Sequence, residues 1–355
     1  MSDHSGIGRL RIQLQDVTIP LPLSWAGASK PNAQRIKVGE GMPVFVIGGT
    51  GFIGYRLVRL LVQRGETVVC MDVDPSAHSF ADLGGKVHSV RGDVAQFDDV
   101  MIAMAAARPE RVANLAFLIG SNHPPHAAMR INVLGMDNCF EAARLLGVKH
   151  TVYAGSFAAN GRQANYGARP VNEDDPVYGE YQYARHKIMN EWQALDYIEK
   201  YDMCVTGIRA AYVTGQDKVR GSVDHVRCIT EPALGKAVSL QFKDAMSCVI
   251  HVDDMAEVFA QVLMADRPLH RVYNSGGTTV SLGEIAEIVR SYLPDAMISF
   301  KSDRGARETN SAYLLDNSRL VSEFGIQYRP FRERVLQIIN ATRHGAGLPP
   351  VDQES

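Results

Sequence analysis

The sequence lacks a charge excess, a long apolar run and any paired cysteine motif, and each absence excludes a class of protein. Lysine plus arginine (37) nearly balance aspartate plus glutamate (39), so no basic field is available to hold nucleic acid. No stretch approaches the roughly 18 apolar residues of a membrane span. The five cysteines are scattered, odd in number and without a CxxC pair, which favours free thiols in a reducing compartment. These features predict a cytoplasmic protein that binds neither nucleic acid nor membrane.

The first 42 residues differ in pattern from the rest of the chain. They show neither a helical nor a strand period and contain Pro20, Pro22 and Pro31. Pro20 and Pro22 also interrupt the one apolar stretch that resembles a signal peptide, which argues against secretion. Residues 1–42 are therefore predicted to be an N-terminal extension.

From Pro43 onward, apolar runs of strand type alternate with segments of helical period. The predicted strands are residues 44–47, 67–71, 87–90, 112–115, 151–154 and 204–208, and the helices between them include 52–63, 126–146 and 181–200. Such alternation predicts right-handed βαβ units, hence an α/β protein with a Rossmann-like, doubly wound parallel sheet. After residue 210 the elements become shorter, which predicts a smaller C-terminal α/β lobe.

A glycine cluster lies directly between the first strand and the first helix. Gly48, Gly51 and Gly54 have the spacing of a dinucleotide-binding turn, in which glycines let the backbone and the helix N-terminus approach a pyrophosphate. Asp72 ends the second strand, where a carboxylate accepts hydrogen bonds from an adenosine ribose and repels a 2′-phosphate. The pattern favours NAD over NADP and makes residues 43–210 the NAD-binding domain, with 211–355 mostly a substrate-binding lobe whose segments partly return to the sheet.

A second group of residues has the chemistry of an acid/base site. Tyr183 and Lys187 lie four residues apart near the start of a helix, so both side chains project from one face. A nearby ammonium and an oxidised nicotinamide would lower the high pKa of a tyrosine and allow it to act as a base. Ser156 follows the fifth strand, at the sheet edge where ligands bind, and its hydroxyl can polarise a substrate oxygen.

Taken together, these motifs resemble the extended short-chain dehydrogenase/reductase family, the NAD-dependent epimerase/dehydratase group, over residues 43–331. The resemblance implies that Tyr183 is the general acid/base, that Lys187 holds the nicotinamide ribose, and that Ser156 binds the reacting oxygen. The implied cofactor-binding residues are Gly48, Gly51, Phe52, Ile53, Gly54, Asp72, Asp93, Val94, Leu115, Ala116, Phe117, Asn132, Tyr183, Lys187 and Val213. For Asp93, the residues alone leave an adenine contact and a helix N-cap equally open.

The sequence departs from its relatives on the substrate side. Phe157 follows Ser156 where dehydratases of the group carry an acidic pair, and Tyr212 stands where sugar-nucleotide enzymes usually have an asparagine. Phe157, Tyr212, Tyr166 and Tyr178 are candidates to line a pocket for a small or partly apolar alcohol or ketone. Arg304, with Arg307 nearby, is a further substrate candidate, since a family arginine lies in about this place. His123 and His126 lack the carboxylate or cysteine spacing that would complete a metal site, so no metal is expected.

Three functions remain open at this stage. The first is an NAD-dependent oxidoreductase that interconverts a secondary alcohol and a ketone on a substrate other than a sugar nucleotide. The second is an epimerase of a sugar or sugar nucleotide in which NAD remains bound. The third is a regulator that binds NAD without chemistry, against which the intact Ser156, Tyr183 and Lys187 argue. The long helices 126–146 and 181–200 commonly pair across a two-fold axis in the family, which implies a homodimer.

Overall fold

The computed structural model describes residues 42–352, with the exception of residues 77, 79, 121 and 304–310. The chain divides into residues 1–34 and 35–355, and the described residues all belong to the second unit. Residues 1–41 of the predicted N-terminal extension and the candidate Arg304 therefore lie outside the described residues.

The central layer is a seven-stranded parallel sheet, as the alternation of apolar runs predicts. The strands of the chain are β1 (Val44–Ile47), β2 (Val68–Asp72), β3 (Val87–Arg91), β4 (Arg111–Asn114), β5 (His150–Ser156), β6 (Val205–Ala210), β7 (Tyr212–Thr214), β8 (Val238–Phe242), β9 (Met246–His251), β10 (Val272–Asn274), β11 (Thr278–Ser281) and β12 (Ile298–Ser302). The sheet has the order β10-β6-β5-β4-β1-β2-β3, and every pair in it is parallel. All four residues of β1 are buried, which is expected of a strand that is covered on both faces.

Helices cover the two faces of this sheet and also build a smaller C-terminal core. They are α1 (Phe52–Gln63), α2 (Phe97–Ala107), α3 (Pro125–Met129), α4 (Gly135–Leu146), α5 (Gln182–Tyr201), α6 (Asp224–Ala233), α7 (Val252–Met264), α8 (Leu282–Tyr292), α9 (Ser318–Phe324) and α10 (Phe331–Gly345). The predicted helix 126–146 is helical without a break, and a π-helical turn, Arg130–Leu134, joins α3 to α4 within it. No helix in the described part of the chain is both long and apolar enough to cross a membrane.

The strand order reverses between β1 and β4, and this reversal creates a crevice. The chain leaves β1 toward β2 on one side, whereas β4 and β5 continue on the other side. In open α/β sheets, ligands bind outside the carboxyl ends of the strands at such a switch point. The β1–α1 turn and the residues that follow β4 therefore flank the crevice, and Ser156 at the end of β5 lies along the same edge.

The C-terminal third forms a second, smaller core and also contributes to the central layer. Two small sheets, β11-β9-β7 and β12-β8, pack with α6, α8 and α10 around their own apolar cluster. However, β10 extends the large sheet by pairing with β6, and α7 packs on α1 beside it.

Candidate active site

The turn between β1 and α1 is shaped by backbone contacts that exclude side chains. Gly48 has a φ of +76°, and a Cβ there would stand 2.8 Å from the amide nitrogen of Ala116. A Cβ on Gly54 would stand 2.2 Å from the carbonyl oxygen of Gly48. The helix therefore reaches the turn only because these residues are glycines.

The N-terminus of α1 is open to a ligand. Gly51 is its N-cap and provides no side-chain cap, and the first turn carries no acidic residue. The first intrahelical bond runs from the Tyr55 amide to the Gly51 carbonyl, so earlier amides such as those of Phe52 and Ile53 have no helical partner. Unpaired amides at the positive end of a helix dipole fit a pyrophosphate.

Asp72 ties the glycine turn to the end of β2. One of its carboxylate oxygens accepts a hydrogen bond from the Thr50 amide at 3.2 Å, and the other lies 3.5 Å from the Asp74 amide. The carboxylate thus lies beside the turn, where the sequence predicts that the adenosine ribose binds.

Asp93 is held next to the start of α2, but it is not the N-cap. The N-cap is Gln96, whereas the Asp93 carboxylate accepts a hydrogen bond from the Ala95 amide at 2.9 Å. The carboxylate of Asp99, in the first turn of α2, accepts a hydrogen bond from the Asp93 amide at 2.9 Å. Val94 is buried and its carbonyl is bonded to an asparagine of α4.

Asn132 fixes the chain segment that leaves β4. Its side-chain oxygen accepts the Leu118 amide at 2.8 Å, and its side-chain nitrogen lies 3.2 Å from the Leu118 carbonyl oxygen. Asn132 lies in the π-helical turn, whose Asn132 and Val133 carbonyls accept hydrogen bonds from Asn190 and Gln193 of α5. The turn thereby links the segment containing Leu115, Ala116 and Phe117 to the helix that carries Tyr183 and Lys187.

The structure brings Ser156, Tyr183 and Lys187 together at the carboxyl edge of β5. Ser156 is buried, its oxygen accepts a hydrogen bond from the Ala158 amide at 3.2 Å, and its side chain interacts with the phenol of Tyr183. Lys187, one helical turn after Tyr183, is also buried and donates from Nζ to the Ala154 carbonyl at 2.5 Å. A hydroxyl, a phenol and an amine can together bind an alcohol or carbonyl oxygen and exchange a proton with it.

Burial dominates the titration of this group. It raises the pKa of Tyr183, and the hydrogen bond from Ser156 acts in the opposite direction. Burial also lowers the pKa of Lys187 well below its usual value, while the charge of Glu191 opposes that shift. The sequence analysis expected a nearby ammonium and a bound oxidised nicotinamide to lower the pKa of Tyr183 together. The protein groups by themselves raise it.

Aromatic side chains and a serine border the group of Ser156, Tyr183 and Lys187 on the side of the C-terminal lobe. The rings of Phe157 and Tyr212 pack edge to face with centroids 4.7 Å apart. Ser311 interacts with both Tyr181 and Tyr212 and acts on the pKa of each phenol against the rise caused by burial. The rings of Tyr181 and Tyr183 stack with centroids 6.2 Å apart. Sequence analysis missed Tyr181 and Ser311. The proximity of Tyr181 to Tyr183 in the sequence was a usable signal, but Ser311 lies in no motif.

The other predicted residues lie around this group or apart from it. Val213 is buried, and its carbonyl accepts a hydrogen bond from Lys218 Nζ at 2.6 Å. The Tyr166 hydroxyl lies within hydrogen-bonding distance of the carbonyl oxygens of Asn160 and Pro176, and it thereby supports the surrounding loop. Tyr178 packs on the Tyr166 ring and is 44% exposed.

Comparison with known proteins identifies the family. Residues 44–276, more than half of the chain, match the model of the NAD dependent epimerase/dehydratase family. A UDP-glucose 4-epimerase of Mycolicibacterium smegmatis is 31% identical over 235 residues, which are 62% of this chain and 72% of the relative. A cinnamoyl-CoA reductase 1 of Oryza sativa subsp. japonica is 24% identical over 88% of this chain and 93% of its own length.

A solved structure shows the same fold. The UDP-glucose 4-epimerase of Thermus thermophilus, crystallised as a complex with NAD, superposes with a TM-score of 0.74 at 24% identity and covers 85% of this chain and 99% of its own. The chain therefore belongs to the NAD dependent epimerase/dehydratase family, and it is an enzyme of the extended short-chain dehydrogenase/reductase type that uses NAD.

Proposed function

We propose that the protein interconverts a secondary alcohol and a ketone, with Tyr183 as the general acid/base. This proposal rests on one observation: the Ser156 hydroxyl, the Tyr183 phenol and the Lys187 amine lie together at the carboxyl edge of β5. A protein that binds a dinucleotide without catalysing a reaction would not require these three side chains together.

Each residue has a distinct task in this proposal. Ser156 donates a hydrogen bond to the reacting oxygen of the substrate and orients it toward the phenol. In the oxidative direction the ionised Tyr183 takes the hydroxyl proton, and in the reductive direction its phenol returns a proton to the oxygen. Lys187 stabilises the phenolate by its charge and donates hydrogen bonds to the nicotinamide ribose. When bound, NAD supplies the acceptor or donor for the hydride of the neighbouring carbon.

The crevice has suitable residues for NAD along its whole length. We assign the phosphates to the amides around Gly48, Gly51, Phe52, Ile53 and Gly54, the adenosine ribose to Asp72, and the adenine to Asp93 and Val94. Leu115, Ala116, Phe117, Asn132 and Val213 are assigned to the nicotinamide half. A Cβ at Gly48 or Gly54 would clash with backbone atoms, so the turn is shaped for close approach of the backbone, and this supports the phosphate assignment.

The substrate assignment follows from the aromatic wall. Phe157 and Tyr212 are in contact, and Ser311 interacts with both Tyr212 and Tyr181, so this wall offers rings and neutral hydroxyls. Such a surface favours a neutral, partly apolar alcohol or ketone over a nucleoside diphosphate. Arg304 remains a proposed substrate residue in the part of the chain that the structure does not describe.

An epimerase is the second candidate. A UDP-glucose 4-epimerase is among the relatives. The two functions differ in the fate of the nucleotide, because an epimerase restores its NAD in every cycle and a dehydrogenase accumulates NADH.

Mass spectrometry of ligands released from the purified protein, paired with a panel of secondary alcohols and UDP-sugars, tests the proposal. We expect NADH absorbance to rise with at least one secondary alcohol that carries no nucleotide. Isomerisation of a UDP-sugar without NADH formation would establish the epimerase instead. Neither activity, together with failure to bind NAD, would refute both.

We also infer that the protein is a cytoplasmic homodimer that pairs through the α4 and α5 helices. Exposed apolar side chains lie on or beside these helices, namely Leu134, Leu145, Met189, Trp192 and Tyr201. The five cysteines are free, which supports a reducing compartment.

A further inference from the structure

Phe117 makes an unusual contact with the lysine of the catalytic group. The Nζ atom of Lys187 lies 3.3 Å from the centroid of the Phe117 ring. The same ring packs edge to face with Tyr183, at a centroid distance of 5.2 Å and an interplanar angle of 81°. Phe117 therefore touches both members of the Tyr183-x-x-x-Lys187 motif.

The backbone on either side of Phe117 is fixed, so this contact is built into the fold. The Ala116 amide donates to the side chain of Asn114 at 3.1 Å, and Ala116 also lies against the Gly48 turn. On the other side, the amide and carbonyl of Leu118 are both held by Asn132. The ring consequently has little freedom except rotation about its own side-chain bonds.

Lys187 needs such a contact because it is 2% exposed and has few polar neighbours. One of its N–H groups donates to the Ala154 carbonyl, and the ring face lies over the ammonium, which leaves donor capacity for a ligand. Burial favours the neutral amine, whereas the electron-rich face of an aromatic ring favours the ammonium.

The other groups that face Lys187 are few. Tyr183, His186 and Glu191 lie on its own helix, and Glu191 is already paired with Arg209 of β6. From β5, Lys187 meets only neutral groups among the contacts described, the Ala154 carbonyl foremost.

We propose that Phe117 is a positioning residue whose ring face keeps the Lys187 side chain charged and oriented for its work on Tyr183 and the cofactor. This inference rests on the proposed function, because it assigns a purpose to the charge of Lys187. It predicts that replacing the ring by an aliphatic side chain lowers the proton affinity of Lys187 about tenfold, which is about one pH unit.

The test measures nucleotide binding and needs no substrate. In a Tyr183→Phe parent, which lacks the titrating phenol, the dissociation constants of NAD⁺ and NADH are determined from pH 6 to 10 by fluorescence. A charged Lys187 repels the positive ring of NAD⁺, so the ratio of the two constants changes as the lysine loses its proton. Lys187→Met in the same background should give a flat ratio, which assigns the transition to this residue.

The decisive variants differ at one position. Phe117→Leu and Phe117→Met remove the ring face but keep an apolar side chain, and each should move the transition down by about one pH unit. Phe117→Tyr keeps the ring face and should leave the transition within a few tenths of a unit of the parent. Two ring-less variants are used so that the test survives if one of them fails to fold.

The outcomes separate this inference from the function on which it rests. Identical profiles in the parent and the ring-less variants would overturn the role of Phe117 while leaving NAD binding intact. An equal shift in Phe117→Tyr would also overturn it, because packing would then be the cause. Failure of the parent to bind either nucleotide would overturn the proposed function and this inference together.

Discussion

Replacing Gly54 by alanine tests whether the close approach of α1 to the glycine turn builds the cofactor site. The new Cβ would stand 2.2 Å from the Gly48 carbonyl oxygen and 2.7 Å from the Gly49 Cα, against the 3.4 Å at which ordinary contact begins. Both neighbours are backbone atoms, so α1 would have to move by about 1 Å. Overpacking of this kind costs about 1–3 kcal/mol, and we expect the free energy of unfolding in urea to fall by that amount.

The same displacement should weaken nucleotide binding. A shift of the first-turn amides away from the pyrophosphate should raise the NADH dissociation constant about tenfold or more, which corresponds to about 1.4 kcal/mol. Gly345→Ala is the matched control, because Gly345 ends α10 with open space around it and should change stability by less than about 0.5 kcal/mol. Wild-type stability and NADH affinity in Gly54→Ala would refute the argument.

Three further predictions address the chemistry, the pH dependence and the assembly. Tyr183→Phe should reduce turnover by about 10²–10⁴-fold while NAD affinity stays within a few-fold, and unchanged turnover in a steady-state assay would contradict the acid/base role. Burial lowers the pKa of His150 to about 4 and that of His225 to about 3, so below about pH 6.5 the unfolded chain binds more protons than the folded one. The free energy of unfolding should therefore fall from pH 6.5 to 4, by up to about 1.4 kcal/mol per pH unit for each histidine, whereas a flat profile in urea titrations would show that these groups do not contribute. Trp192→Glu replaces a side chain that is 62% exposed on α5, and this variant should be monomeric in sedimentation velocity at micromolar concentration. The control Leu269→Glu, at a side chain 79% exposed away from α4 and α5, should remain dimeric. A monomeric wild type would refute the dimer proposal.

The sequence identified the parallel sheet and the two main motifs because both depend on short-range geometry. A strand followed by a glycine turn and a helix is encoded within about 20 residues, and the four-residue spacing of Tyr183 and Lys187 places both on one helix face. The start of α8 is also encoded locally, because Ser281 and Glu284 begin this helix with a reciprocal capping box.

Other features depended on how distant segments meet. The apolar period predicts the helix but not the π-helical turn within it at Arg130–Leu134. Two carbonyls of this turn accept hydrogen bonds from side chains of α5 about 60 positions later. No local pattern reports such long-range hydrogen bonds.

The sequence by itself determined which residues are candidates for the chemistry, because spacing along the chain and side-chain type are local properties. Only the tertiary structure decided what surrounds them: that Ser311 interacts with Tyr181 and Tyr212, and that the Phe117 ring covers the side-chain nitrogen of Lys187. The physical reason is that the protonation of a buried amine or phenol depends on contacts with groups from other strands and helices, and the path of the chain between them sets those distances.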